Sequence, residues 1–80
     1  MKAKIYVTLK RGVLDPQGKA IAHALNSLGF AEVSDVRQGK VIELELTDTP
    51  ADQMNARLDA MCRALLANTV IEDYRIERVG

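Results

Sequence analysis

Hydrophobic and polar positions alternate from the start of the chain. In "KIYVTLK", Ile5, Val7 and Leu9 fall on one side and Lys4, Tyr6, Thr8 and Lys10 on the other, the period-two signature of a half-buried strand. The period then lengthens. Ile21, Leu25 and Leu28 share one helical face, with Ala24 beside them. Asp15 precedes this run as an N-cap whose carboxylate can accept a free first-turn amide, and Pro16 takes the first helical position, where a missing N–H costs nothing. Gly29 stands where a left-handed C-cap is expected.

The stretch "AEVSDVRQGKVIELELT" predicts a hairpin turning at Gln38, Gly39 and Lys40. Its second strand places Ile42, Leu44 and Leu46 inward and Val41, Glu43 and Glu45 outward. In its first strand Val33 and Val36 have opposite parity, so either a bulge intervenes or Val33 belongs to the preceding loop. A second helix opens at "TPADQ": Thr49 caps it, Pro50 comes first, and Asp52 resembles the far side of a capping box. Met54, Leu58, Met61 and Leu65 then recur at spacings of four, three and four. Asn68 terminates the helix, and "VIEDYRIERV" predicts a closing strand.

The order strand, helix, strand, strand, helix, strand is the split βαβ pattern. It predicts an α+β, ferredoxin-like sandwich: a four-stranded antiparallel sheet of order 4-1-3-2 with both helices on one face. No segment is left for a linker or repeat array, so residues 1–80 are expected to form a single domain.

Composition narrows the class. Hydrophobic residues make up 48% of the 80, too many for disorder. Eleven basic residues balance eleven acidic ones, which gives no electrostatic reason to expect nucleic acid or anionic lipid. One cysteine, Cys62, excludes an internal disulfide and a thiolate zinc site. No apolar run approaches a bilayer span or a secretion signal, so a soluble cytoplasmic protein is expected.

The fold is common and leaves function to the residues. His23, the one histidine, has no second metal ligand and no nucleophile to activate, and reads as a surface residue. Cys62 lies among Leu58, Met61, Leu65 and Leu66 in helical projection and reads as a small buried hydrophobe. "KRGVLDPQGK" is not a P-loop, which needs GxxxxGK[ST]. Arg11 could mimic the phosphate-binding arginine of acylphosphatases, but no asparagine occurs between Asn26 and Asn55 to position water. Base stacking would have only Tyr6 and Tyr74, with Phe30 past a helix end, and Glu43 and Glu45 would repel phosphate. Glu72 and Asp73 are adjacent on a strand and point to opposite faces, so they cannot form one catalytic dyad. Charges on both faces suit an edge strand that meets a partner.

Three stretches, "LDPQGKAIAHAL", "VSDVRQGKVIEL" and "LLANTVIEDYRIE", together resemble the PurS family, the small subunits of phosphoribosylformylglycinamidine synthase in purine (IMP) biosynthesis. The resemblance covers essentially the whole chain. It implies a ferredoxin-like fold, self-association as a homodimer or higher oligomer, and a complex with a synthetase large subunit and a glutamine amidotransferase subunit. It also implies no catalytic residue, cofactor or metal on this chain, with ATP and Mg2+ used by the assembled ligase. In such a complex glutaminase-derived ammonia displaces phosphate from activated formylglycinamide ribonucleotide to give the amidine. A bridging subunit would orient the two enzymes and help keep ammonia from water.

The polar residues of the resembling motifs are the expected partner contacts: Asp15, Gln17, Asp35, Arg37, Lys40, Asn68, Thr69, Glu72, Asp73, Tyr74 and Arg75. Asp15, Asn68 and Lys40 also have architectural readings as cap, terminator and turn residue. Tyr6 and Val41 are the expected apolar anchors of self-association across the open sheet face. The alternative is an ACT-like regulatory module that senses a small molecule, for which Gly12 between the first strand and helix would serve.

Overall fold

The structure is a computed structural model that describes residues 1–47 and 50–79. The Thr49 cap expected from the sequence lies outside the described residues. Strand β1 spans Lys2–Leu9, helix α1 Pro16–Ser27, strand β2 Gly39–Glu45, helix α2 Ala51–Met61 and strand β3 Glu72–Val79. A π-helical turn, Cys62–Leu66, continues α2. Among the described residues the sheet has three strands in the order β2-β1-β3, all antiparallel.

The period-two reading of β1 holds. Ala3, Ile5 and Val7 are sealed beneath α2 and the π-turn, which contribute Met54, Leu58 and Cys62 to the same cluster. Each large apolar side chain so buried contributes ~1.5–3 kcal/mol. Ile42, Leu44 and Leu46 on β2, and Tyr74 and Ile76 on β3, pack around this centre half-buried.

Two expectations fail. The hairpin does not form: residues 31–38 carry no strand. The pairings of β2 and β3 with β1 are those that the order 4-1-3-2 requires, without its edge strand. The polar groups of this segment are claimed elsewhere. The Arg37 guanidinium donates to the carbonyls of Lys10 at 2.8 Å, Val13 at 3.1 Å and Leu9 at 3.4 Å, and the Gln38 amide donates to Asp15 at 2.7 Å. Gly39 is thus a strand residue opposite Thr8 and not a turn residue; a Cβ there would lie 2.7 Å from the Val7 carbonyl.

The second failure concerns α1, which was expected to share a face of the sheet with α2. No residue of α1 belongs to the core cluster or to the shell packed on it. Leu28 is 74% exposed, and Ile21 and Phe30 are exposed as well. The chain leaves β1 at Leu9 and returns at Gly39, beside Thr8, so residues 10–38 start and finish at one end of the sheet. The molecule is 50 Å long, about twice the span of an eight-residue strand at ~3.3 Å per residue. Its radius of gyration is 16.2 Å, against about 12 Å for a compact chain of this length. Residues 10–38 therefore form an arm that stands off the sheet.

Candidate functional site

The base of the arm is built from polar side chains. Asp15 caps α1 by accepting from the Gly18 amide at 3.0 Å, and its other oxygen accepts from Gln38. It is only 5% exposed. These amides, Gln38 first, hold its carboxyl below the ordinary aspartate range, with Arg37 adding to the effect. Gly18 is required because the Val36 carbonyl lies where its Cβ would be, at 2.2 Å. Inside the arm, the Asn26 side chain donates to Ala22 and Val33 carbonyls and ties the returning chain to α1.

Beside this base a groove of about 510 Å³ opens onto the end of the sheet, floored by Val7 and Leu9. Four of the expected contact residues line it: Asp15, Gln17, Lys40 and Glu72. The carboxylates there are already engaged, Asp15 as above and Glu72 by the Asn68 amide at 2.7 Å. Among the described residues, none in the groove is a nucleophile set beside a free base.

Asn68 and Thr69 begin a tight loop. The Asn68 side chain accepts from the Val70 amide, and its carbonyl accepts from the Ile71 and Glu72 amides. The Lys10 amide donates to Ile71 at 2.9 Å, which pins the loop to the end of β1. Val70 is left 80% exposed. The preceding π-turn, closed by the Ala67 amide on the Cys62 carbonyl five residues back, inserts an extra residue into the helix. The apolar stripe accordingly runs Met54, Leu58, Cys62, and Leu65 is turned outward to 85% exposure, where the sequence spacing had placed it in the core. Leu65 and Val70 are contact candidates that the polar-motif reasoning missed. An i→i+5 turn leaves no mark in a hydrophobic pattern.

Tyr74 links β3 to α2: its hydroxyl donates to Asp59, which also accepts from Arg63. The Tyr74 hydroxyl, then Arg63, lowers the Asp59 carboxyl, and the same bond raises the Tyr74 phenol. Burial and the neighbouring Asp59 charge raise the Cys62 thiol, the opposite of what a nucleophilic cysteine needs. His23 is exposed on α1. Among the described residues no group of three or more His, Cys, Asp or Glu side chains could hold a metal ion.

On the open sheet face the Tyr6 hydroxyl donates to Glu77 at 2.9 Å, and the Arg75 guanidinium lies 4.1 Å from the Tyr6 ring centroid. Lys2 faces Glu45 and Lys4 faces Glu43 across β1 and β2. Val41 is exposed there, but Tyr6 is covered by Arg75. Asp73 belongs to this face, opposite Thr8, while Asp35 is exposed in the arm with its carboxylate turned to the Val36 amide. The eleven expected contacts thus divide among the groove with the arm base, the loop at 68–71, the Asp59 link and the open face.

The sequence matches the family described as PurS, phosphoribosylformylglycinamidine (FGAM) synthase, over residues 2–80. The chain belongs to the PurS family. It is 54% identical over 76 residues to the phosphoribosylformylglycinamidine synthase subunit PurS of Bacillus subtilis, covering 95% of this chain and 89% of that one. The crystal structure of B. subtilis PurS superposes with a TM-score of 0.86, covering 95% and 94% of the two chains at 54% identity. A chain in the structure of PurLQS from Thermotoga maritima superposes with a TM-score of 0.87 at 29% identity, covering 98% and 95%. The three PurS-like stretches of the sequence lie in the arm, in the arm's return into β2, and in the π-turn, loop and β3. Each contributes residues to the lining of the groove, beside Val7 and Leu9 of β1.

Proposed function

We propose that this chain is the small, non-catalytic subunit of phosphoribosylformylglycinamidine synthase, the glutamine- and ATP-dependent carbon–nitrogen ligase of purine biosynthesis. The carrying observation is similarity over nearly the full length of both chains to a PurS subunit, together with the fold match to a chain of PurLQS. The subunit acts by holding the synthetase and glutaminase subunits in fixed relation, so that ammonia passes between them without loss to water. ATP and Mg2+ serve the assembled enzyme through the synthetase subunit. Residues 1–80 act as one unit, in the cytoplasm; no helix among the described residues is long and apolar enough to cross a membrane. The groove lined by Asp15, Gln17, Lys40 and Glu72 and the knob of Leu65 and Val70 are the surfaces for these partners. The carboxylates of the groove are already hydrogen-bonded, and the Asn68 side chain holds the loop that carries Val70. The subunit self-associates, and the four-stranded ferredoxin-like arrangement is completed only in the assembly.

Reconstitution tests this reading. The synthetase and glutaminase subunits should form the amidine from glutamine only when this chain is added. Synthesis from added ammonia should depend on it less. Full glutamine-dependent activity of the two large partners without it would overturn the bridging role.

A further inference from the structure

The groove at the base of the arm holds polar groups that the chain itself does not use. Lys40 is opposite Val7 in the sheet and Glu72 is opposite Leu9, so all four side chains fall on the side that carries α2. Lys40 and Glu72 stand on the strands either side of β1, two strand spacings or ~10 Å apart. Val7 and Leu9 lie between them as an apolar floor. From the arm come Gln17, at the start of α1, and Gln38, at the return of the chain. Among the described residues, nothing pairs with the Lys40 ammonium or with the Gln17 and Gln38 carboxamides. Glu72 gives one oxygen to the Asn68 amide and keeps the other.

A cavity of similar size, about 520 Å³, at the far end of β1 shows the contrast. There Lys2 already faces Glu45 at 3.9 Å and Lys4 faces Glu43 at 4.0 Å. In the groove the opposite charges are held apart, with room between them. A ligand that satisfies it brings an anion for Lys40, a cation for Glu72, a group that both donates and accepts for the glutamines, and a short apolar stem for the floor. A simple anion would leave Glu72 facing like charge.

We propose that the groove binds a free α-amino acid with a carboxamide side chain. Its carboxylate meets Lys40, its ammonium meets the open oxygen of Glu72, its amide pairs with Gln17 or Gln38, and its methylenes rest on Val7 and Leu9. The site goes beyond the subunit reading above and lies on a surface assigned there to partners. Gln17 and Gln38 belong to the arm, Lys40 and Glu72 to the sheet, so the ligand ties one to the other. Amino-acid supply is thereby coupled to docking: each binding event changes the affinity of the other by the same factor.

The test titrates L-glutamine into the full-length, isotope-labelled chain and follows the backbone amide shifts. Saturable shifts at Gln17, Gln38, Lys40 and Glu72 are expected. Lys40→Met keeps the apolar stem of the side chain, and Glu72→Gln keeps an acceptor for the Asn68 amide, so both variants should fold. Each should weaken binding about tenfold or more. Glutaramate, which is glutamine without its ammonium, should bind the wild-type chain more weakly than glutamine does and should not be weakened by Glu72→Gln. No saturable shift, shifts confined to residues away from the groove, or an affinity indifferent to both variants would each overturn the proposal. Reconstitution of the enzyme tests the subunit reading separately, so either can fail while the other stands.

Discussion

At the scale of single residues, Asp15 carries the most consequence. It was expected to cap a helix or to touch a partner. It caps α1 and also binds the Gln38 amide, so it joins the two ends of the arm. Asp15→Ala should lower the melting temperature by on the order of 5 °C or more, whereas Gln17→Ala, at an exposed position, should change it little. Because the folded-state pKa lies below the ordinary value, the carboxylate's stabilisation is present at neutral pH. It is lost as pH falls below the ordinary aspartate range and through the folded value. Asp15→Asn should therefore flatten this acid limb in a thermal-melt series against pH. Gly18→Ala would press a methyl into the Val36 carbonyl and should displace the arm's return. Cys62→Ala and His23→Asn should leave turnover of the assembled enzyme within a few fold of wild type. A loss of about a thousandfold, ~4 kcal/mol of barrier, in a folded and assembled variant would contradict the absence of a catalytic role.

At the scale of elements, legibility followed how local the signal was. β1, β2 and β3 were readable because alternation reports a face. The cap of α1 was readable because Asp15-Pro16 is a local instruction. The strand expected at 33–36 was not to be found, because Arg37 and Gln38 bind a loop more than twenty residues earlier, and sequence spacing does not reveal such a claim. The expected contact residues came as one set from the PurS-like motifs, and sequence did not reveal how they are distributed: Asp15 and Arg37 hold the arm, and Asp15, Gln17 and Lys40 border the groove. The π-turn was invisible for the reason that one extra residue shifts every later helical position. It yields a sharp contrast. Leu58→Ala removes a fully buried side chain and should cost about 2–5 kcal/mol in chemical denaturation. Leu65→Ser should change stability by less than about 0.5 kcal/mol, yet weaken glutamine-dependent synthesis in the reconstituted enzyme. Equal effects on stability would show that Leu65 packs inward.

At the scale of the whole molecule, the dimensions bear on the self-association proposed above. A radius of gyration of 16.2 Å in 80 residues leaves a thin core and a helix in water. Folding stability should then include the free energy of association. The melting temperature should rise with protein concentration between low micromolar and millimolar, with the steepest change near the dissociation constant. A concentration-independent transition would mean that the arm adds nothing to the fold.

The arm also bears on how a cell keeps its subunits in step. A solitary copy displays Leu28 and Phe30 in a segment clamped only at its base. Such a copy should be taken up by chaperones and proteases more readily than one in which these side chains are covered. Surplus chain made beyond the supply of partners should therefore turn over faster than assembled chain, so that degradation matches the amount of small subunit to the enzyme it joins.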